Sequence, residues 1–109
     1  MEIREETIGD TTVLVPLARV DSSSAKAFEA RVLAVVNSGA PKIIIDFSEL
    51  TYISSAGLRV VLVGAKMTRG NRKFVLCAMK PNIREIFDVS GFAKILAIHP
   101  DRQAALAAI

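Results

Sequence analysis

Residues 42–47 read Lys-Ile-Ile-Ile-Asp-Phe, and three consecutive isoleucines leave a strand no polar side. Side chains alternate between the two faces of a strand, so both faces of this one have to be covered. That is the habit of an internal strand in a parallel or mixed sheet with layers on both sides. The flanking segments agree. "DSSSAKAFEARVLAVVNSG" offers Asp21 and Ser22 to Ser24 as helix caps and Gly39 as a stop. Between them Ala25, Phe28, Val32, Val35 and Val36 recur at helical spacing.

The remaining segments alternate in the same way. "EIREET", then Ile8-Gly9-Asp10, then "TTVLVPLA" read as two strands joined by a glycine turn. Pro16 inside the second run implies that it lies near an edge or that its ladder is interrupted there. "GLRVVLVGAKMTRGN" reads as a helix ending near Gly70, and "RKFVLCAM" as a strand. "KPNIREIFDVSGF" is a helix opening at Pro81 and stopping at Gly91, "KILAIH" a short strand, and "PDRQAALAAI" a last helix. The order β-β-α-β-α-β-α-β-α predicts one α/β domain over residues 1–109. About five strands form a mixed sheet that begins with an antiparallel hairpin, and about four helices cover it.

Composition narrows the function. With 51% hydrophobic and 23% charged residues the chain is a folding, not a disordered, sequence. The net charge is +3, but the basic residues are scattered, with only Arg69, Arg72 and Lys73 close together, so a nucleic-acid stripe is not expected. No apolar run approaches the ~20 residues of a membrane span. The charged start "MEIREETIGD" lacks a secretion signal, and the single Cys77 permits no intrachain disulfide, so a cytoplasmic protein is expected. No metal-ligand spacing or cofactor motif is present, and neither is expected.

The chemistry concentrates at "YISSAGLRV", where Ser54 and Ser55 lie between a strand and a helix. One serine there caps the helix, and a second is not needed for that. Catalysis by Ser55 has little support. Ile53 stands where a nucleophile elbow has its leading glycine, and His99 is the only histidine. A phosphate acceptor fits better, because a helix N-terminus tolerates an added anion. Along the following helix Leu58, Val61, Leu62 and Ala65 form one apolar stripe flanked by Arg59 and Lys66. Val60, Val63, Gly64 and Met67 lie roughly opposite, either packed inside the domain or kept for docking.

With these residues in view, the sequence resembles the STAS domain of bacterial anti-sigma factor antagonists. "IIIDFSELTYISSAGLRVVL" and "FVLCAMKPNIREIFDVSGFAKIL" carry the likeness, together with Val20-Asp21 before the first helix. The resemblance implies a switch protein, not an enzyme. Its phosphoacceptor position falls on Ser55, with Ser54 a second candidate. Asp46 matches the family's acidic residue closing the strand, which implies a structural carboxylate near the site, and Asp21 matches the aspartate of the neighbouring loop. It implies a docking surface of Asp21, Ser54, Ser55, Gly57, Leu58, Arg59, Val60, Val63 and Met67. The implied partner is an anti-sigma factor with serine kinase activity, with a phosphatase resetting the switch and a weak homodimer as a further possibility. Ser54 stands where members often carry aspartate, and Ala18 where glycine is frequent. A rival reading is a constitutive subunit of a larger assembly, for lipid transport or stress signalling.

Overall fold

The computed structural model describes residues 1–109. Strand β1 (Ile3–Ile8) turns at Gly9, whose φ of 61° suits glycine, into the antiparallel β2 (Thr11–Pro16). β4 (Lys42–Asp46), β6 (Lys73–Cys77) and β7 (Ala97–His99) continue the sheet in parallel, in the order β1-β2-β4-β6-β7. Four helices complete the expected mixed architecture: α1 (Ala25–Asn37), α2 (Ser55–Met67), α3 (Pro81–Val89) and α4 (Arg102–Ala108). None is long and apolar enough to cross a membrane.

The isoleucine run behaves as its pattern requires. Ile43 and Ile45 join the larger core with Leu14, Leu76 and the buried faces of α1, α2 and α3. Ile44 points the other way, with Val13, Val75 and Cys77, against Ala105 of α4. Three helices therefore share one face of the sheet, and a single short helix covers the other. Phe47 and Phe87, both fully buried, meet at 5.9 Å between ring centroids and join the loop after β4 to α3.

Two strands escape the sequence pattern. β3 (Ala18–Val20) and β5 (Leu50–Ile53) pair in parallel as a separate two-stranded sheet. What reads as one strand through "TTVLVPLA" thus ends at Pro16, an internal strand whose ladder with β4 stops at Leu14. Of the two explanations for Pro16, the interrupted ladder holds, because β2 has neighbours on both sides. Ala18 then adopts a φ of 65°, a left-handed turn that sends the chain out of the main sheet. "KILAIH" also differs from expectation. Its first residues leave a 3-10 turn at Phe92–Lys94, and only Ala97–His99 is strand.

Candidate functional site

The small sheet positions the site. Val20 pairs with Ile53, and the Ser54 N–H donates to the Val20 carbonyl at 2.7 Å. Asp21 and Ser54 therefore follow directly from the carboxyl ends of adjacent parallel strands. Two residues distant by 33 positions are brought together by backbone bonds alone. At the other end of the pair the Thr51 hydroxyl donates to the Ala18 carbonyl at 2.8 Å. Asn82 of α3 donates to the Thr51 carbonyl at 3.0 Å, fastening α3 to β5.

Asp21 is held by two of the three serines that follow it, Ser23 and Ser24. Its Oδ1 accepts from the Ser23 hydroxyl at 2.6 Å and from the Ser23 and Ser24 backbone N–H groups at 3.0 Å each. These bonds favour the ionised carboxylate, the Ser23 hydroxyl most, and hold its pKa at about 2. The same contacts turn the chain into α1. Arg19 lies 3.9 Å from the other carboxylate oxygen and stacks over Tyr52 at 4.4 Å. A fixed negative charge thus stands beside the serine pair.

The two serines have separate tasks. Ser54 is the N-cap of α2, and its hydroxyl accepts from the Gly57 N–H at 3.3 Å. Leu58 makes the first turn-closing bond, its N–H donating to the Ser54 carbonyl at 3.0 Å. The N–H groups of Ser55 and Ala56 remain for an outside acceptor. Ser55 is the first residue of the helix, is exposed, and its hydroxyl has no hydrogen-bond partner within the protein. An exposed hydroxyl at the positive end of a helix dipole suits phosphoryl acceptance.

Gly57 permits this arrangement. A Cβ there would lie 2.7 Å from Val20 Cγ1 and 2.8 Å from Ile53 Cγ1, so α2 can sit on β3 and β5 only without one. Gly64 serves the second contact of α2, where a Cβ would meet Phe74 at 2.8 Å and Val32 of α1 at 3.0 Å.

These contacts correct part of the expected docking surface. Val60 is 5% exposed and faces inward with the core, and Leu58 and Gly57 are buried too. The packing of α1 on α2 consumes the Val60–Gly64 side of the helix. Arg59 and Met67 are exposed and Val63 is half-buried. Asp46 is a second correction. Its side chain is 5% exposed and takes the face of the sheet opposite α2, where Arg102 of α4 donates to it at 3.0 Å. Arg102 also pairs with Glu6 of β1 at 2.8 Å, so Asp46 fastens α4 to the sheet rather than standing at the serines. Its Oδ1 accepts from the Ser48 N–H at 2.9 Å and shapes the loop after β4. His99 lines a hollow with Ala108 and Ile109, away from the one that Ser55 lines.

Comparison with known proteins agrees with this fold. The STAS domain family model matches residues 2–105. BtrV of Bordetella bronchiseptica, named for a proposed role as an anti-sigma factor antagonist, is 46% identical over 90 residues, 82% of this chain and 78% of BtrV. An anti-sigma factor antagonist from Mycobacterium paratuberculosis superposes with a TM-score of 0.95 at 24% identity, over 99% of this chain and 92% of that one. The Bacillus cell fate determinant SpoIIAA, in its phosphorylated form, superposes with a TM-score of 0.74 at 20% identity, over 97% of each chain. The two structural likenesses concern the fold.

Proposed function

The chain belongs to the STAS domain family, and from that premise we propose that it is an anti-sigma factor antagonist switched by phosphorylation of Ser55. The observation that carries this reading is the division of labour at the serines. Ser54 caps the helix, and Ser55 is left exposed and unengaged. The name of the 46% identical BtrV supports the antagonist half of the reading.

In this reading the unmodified protein docks an anti-sigma factor through Asp21, Ser54, Ser55, Arg59, Val63 and Met67, which frees a sigma factor. The partner's kinase activity then transfers the γ-phosphoryl of ATP to Ser55 Oγ, the hydroxyl proton leaving to a base of the kinase. The phosphate adds about −1.5 to −2 charges at a surface where Asp21 already contributes one. The N–H groups of Ser55 and Ala56 accommodate the anion, so the helix persists while the surface becomes more negative. A phosphatase restores the starting state.

Incubation with the cognate kinase and ATP is expected to add one phosphate, read by intact mass, to the native protein and to Ser54→Ala but not to Ser55→Ala. A phosphate retained by Ser55→Ala removes that residue from the role. A complex that persists in ATP with no phosphate incorporated favours the constitutive-subunit reading instead.

A further inference from the structure

The outer side of α2 faces α3 and the 3-10 turn across an open groove. Three adjoining hollows of about 310, 380 and 340 Å³ form it, sharing Leu62 between the first two and Ser90 between the first and third. Its lining is largely apolar and exposed. Val89 is 82% exposed and Ile95 66%, with Leu62 and Phe92 half-buried between them. Its rim along α2 is cationic. Arg59, Lys66 and Arg69 line it, and every ion pair of the protein lies elsewhere. Glu85, at the mouth beyond Val89, is the only carboxylate among the lining residues.

An apolar trough between two helical elements, edged by unpaired cations over one helix, fits a particular occupant. The floor takes a stripe of aliphatic side chains at helical spacing, and the rim takes carboxylates flanking that stripe. Helix α2 itself runs 13 residues, ~20 Å or three to four turns, with Arg69 just past its end. We propose that this groove docks an acidic amphipathic helix of the partner protein. This names the chemistry of the partner in the reading above and rests on that reading only for the switch. Ser55 lines the same hollow as Arg59 and Leu62, so its phosphate would stand where an acidic helix ends and repel it. The groove thereby extends the surface around Ser55 and Arg59 along the Leu62 side of α2, while α1 covers the Val60 side.

The test uses the full chain and three fluorescent helical peptides with one leucine stripe and flanks of glutamate, glutamine or lysine. By anisotropy the glutamate peptide is expected to bind about tenfold tighter than the lysine peptide, three exposed pairs each contributing modestly. Heteronuclear NMR shifts should centre on Leu62, Val89 and Ile95. Ile95→Glu, at an exposed position, should abolish binding, and Lys66→Glu with Arg69→Glu should invert the preference. Equal binding of the three peptides, or shifts mapping to α1, overturns the proposal. So does a dimer in sedimentation that buries the groove. Phosphate incorporation at Ser55 is read separately, so loss of the groove leaves the switch standing and the reverse also holds.

Discussion

Replacing Gly57 by alanine tests the packing that places the serines. The added Cβ would stand 2.7 Å from Val20 Cγ1 and 2.8 Å from Ile53 Cγ1. Both neighbours are β-branched and buried, at 0% and 2% exposure, so neither side chain can rotate aside cheaply. Overpacking of this kind costs about 1–3 kcal/mol. Alanine returns up to ~1 kcal/mol in helix propensity, less in a first turn. The net expectation is a loss of about 1–2 kcal/mol. In urea this lowers the midpoint by roughly 1 M at unchanged slope. Val20→Ala opens space for the new methyl, so the double variant should be about 1 kcal/mol more stable than the two separate losses predict. The same shift lifts the first turn of α2 from β3, so Ser55 should be phosphorylated more slowly in Gly57→Ala. A midpoint at or above that of the native protein, or strict additivity with Val20→Ala, would refute the close-approach reasoning.

Other expectations follow from the same geometry. Asp46→Ala should cost about 2 kcal/mol in urea denaturation, because it strips the buried partner from Arg102 and leaves the Ser48 N–H without its acceptor. Asp46→Asn should leave Ser55 phosphorylation at its native rate, since the two lie on opposite sides of the main sheet. Ala18→Gly should stabilise by roughly 0.5–1 kcal/mol, the relief of a left-handed φ exceeding the entropy glycine adds to the unfolded chain. Burial, and then Asp46, push the Cys77 thiol from 9.0 up to about 12, so the folded state keeps a proton that the unfolded state releases first. Its contribution to stability is complete below pH 9.0, is lost between there and about 12, and should appear as alkaline destabilisation absent from Cys77→Ala.

Much of the scaffold was legible because its strands and helices announce themselves by composition and period. The isoleucine run required covering on both faces, and the sheet provides it. Gly91, with a φ of 82°, ends α3 where its helix stop was read. β3 and β5 were not legible. Strands of three and four residues, Ala-Arg-Val and Leu-Thr-Tyr-Ile, are too short and too mixed to show a period of two. The site was half legible. Two hydroxyls at a helix start could be read, but not which of them caps it. Parity alone puts Asp46 on the side of Ile44, yet nothing in the chain says which helix covers that side. Val60 was misplaced for a related reason, since one amphipathic helix cannot reveal where its neighbour α1 will rest. The frequent family glycine at position 18 gains a reason here, because the backbone turns left-handed at that point.

The miniature two-strand pair has a consequence for how such a protein can diversify. Carbonyls and amides, not side chains, set the distance between the aspartate turn and the serine turn. Residues on the outer surface can therefore drift to suit a new partner while the acidic and hydroxyl landmarks keep their separation, as two fixed pins would under a changing lock.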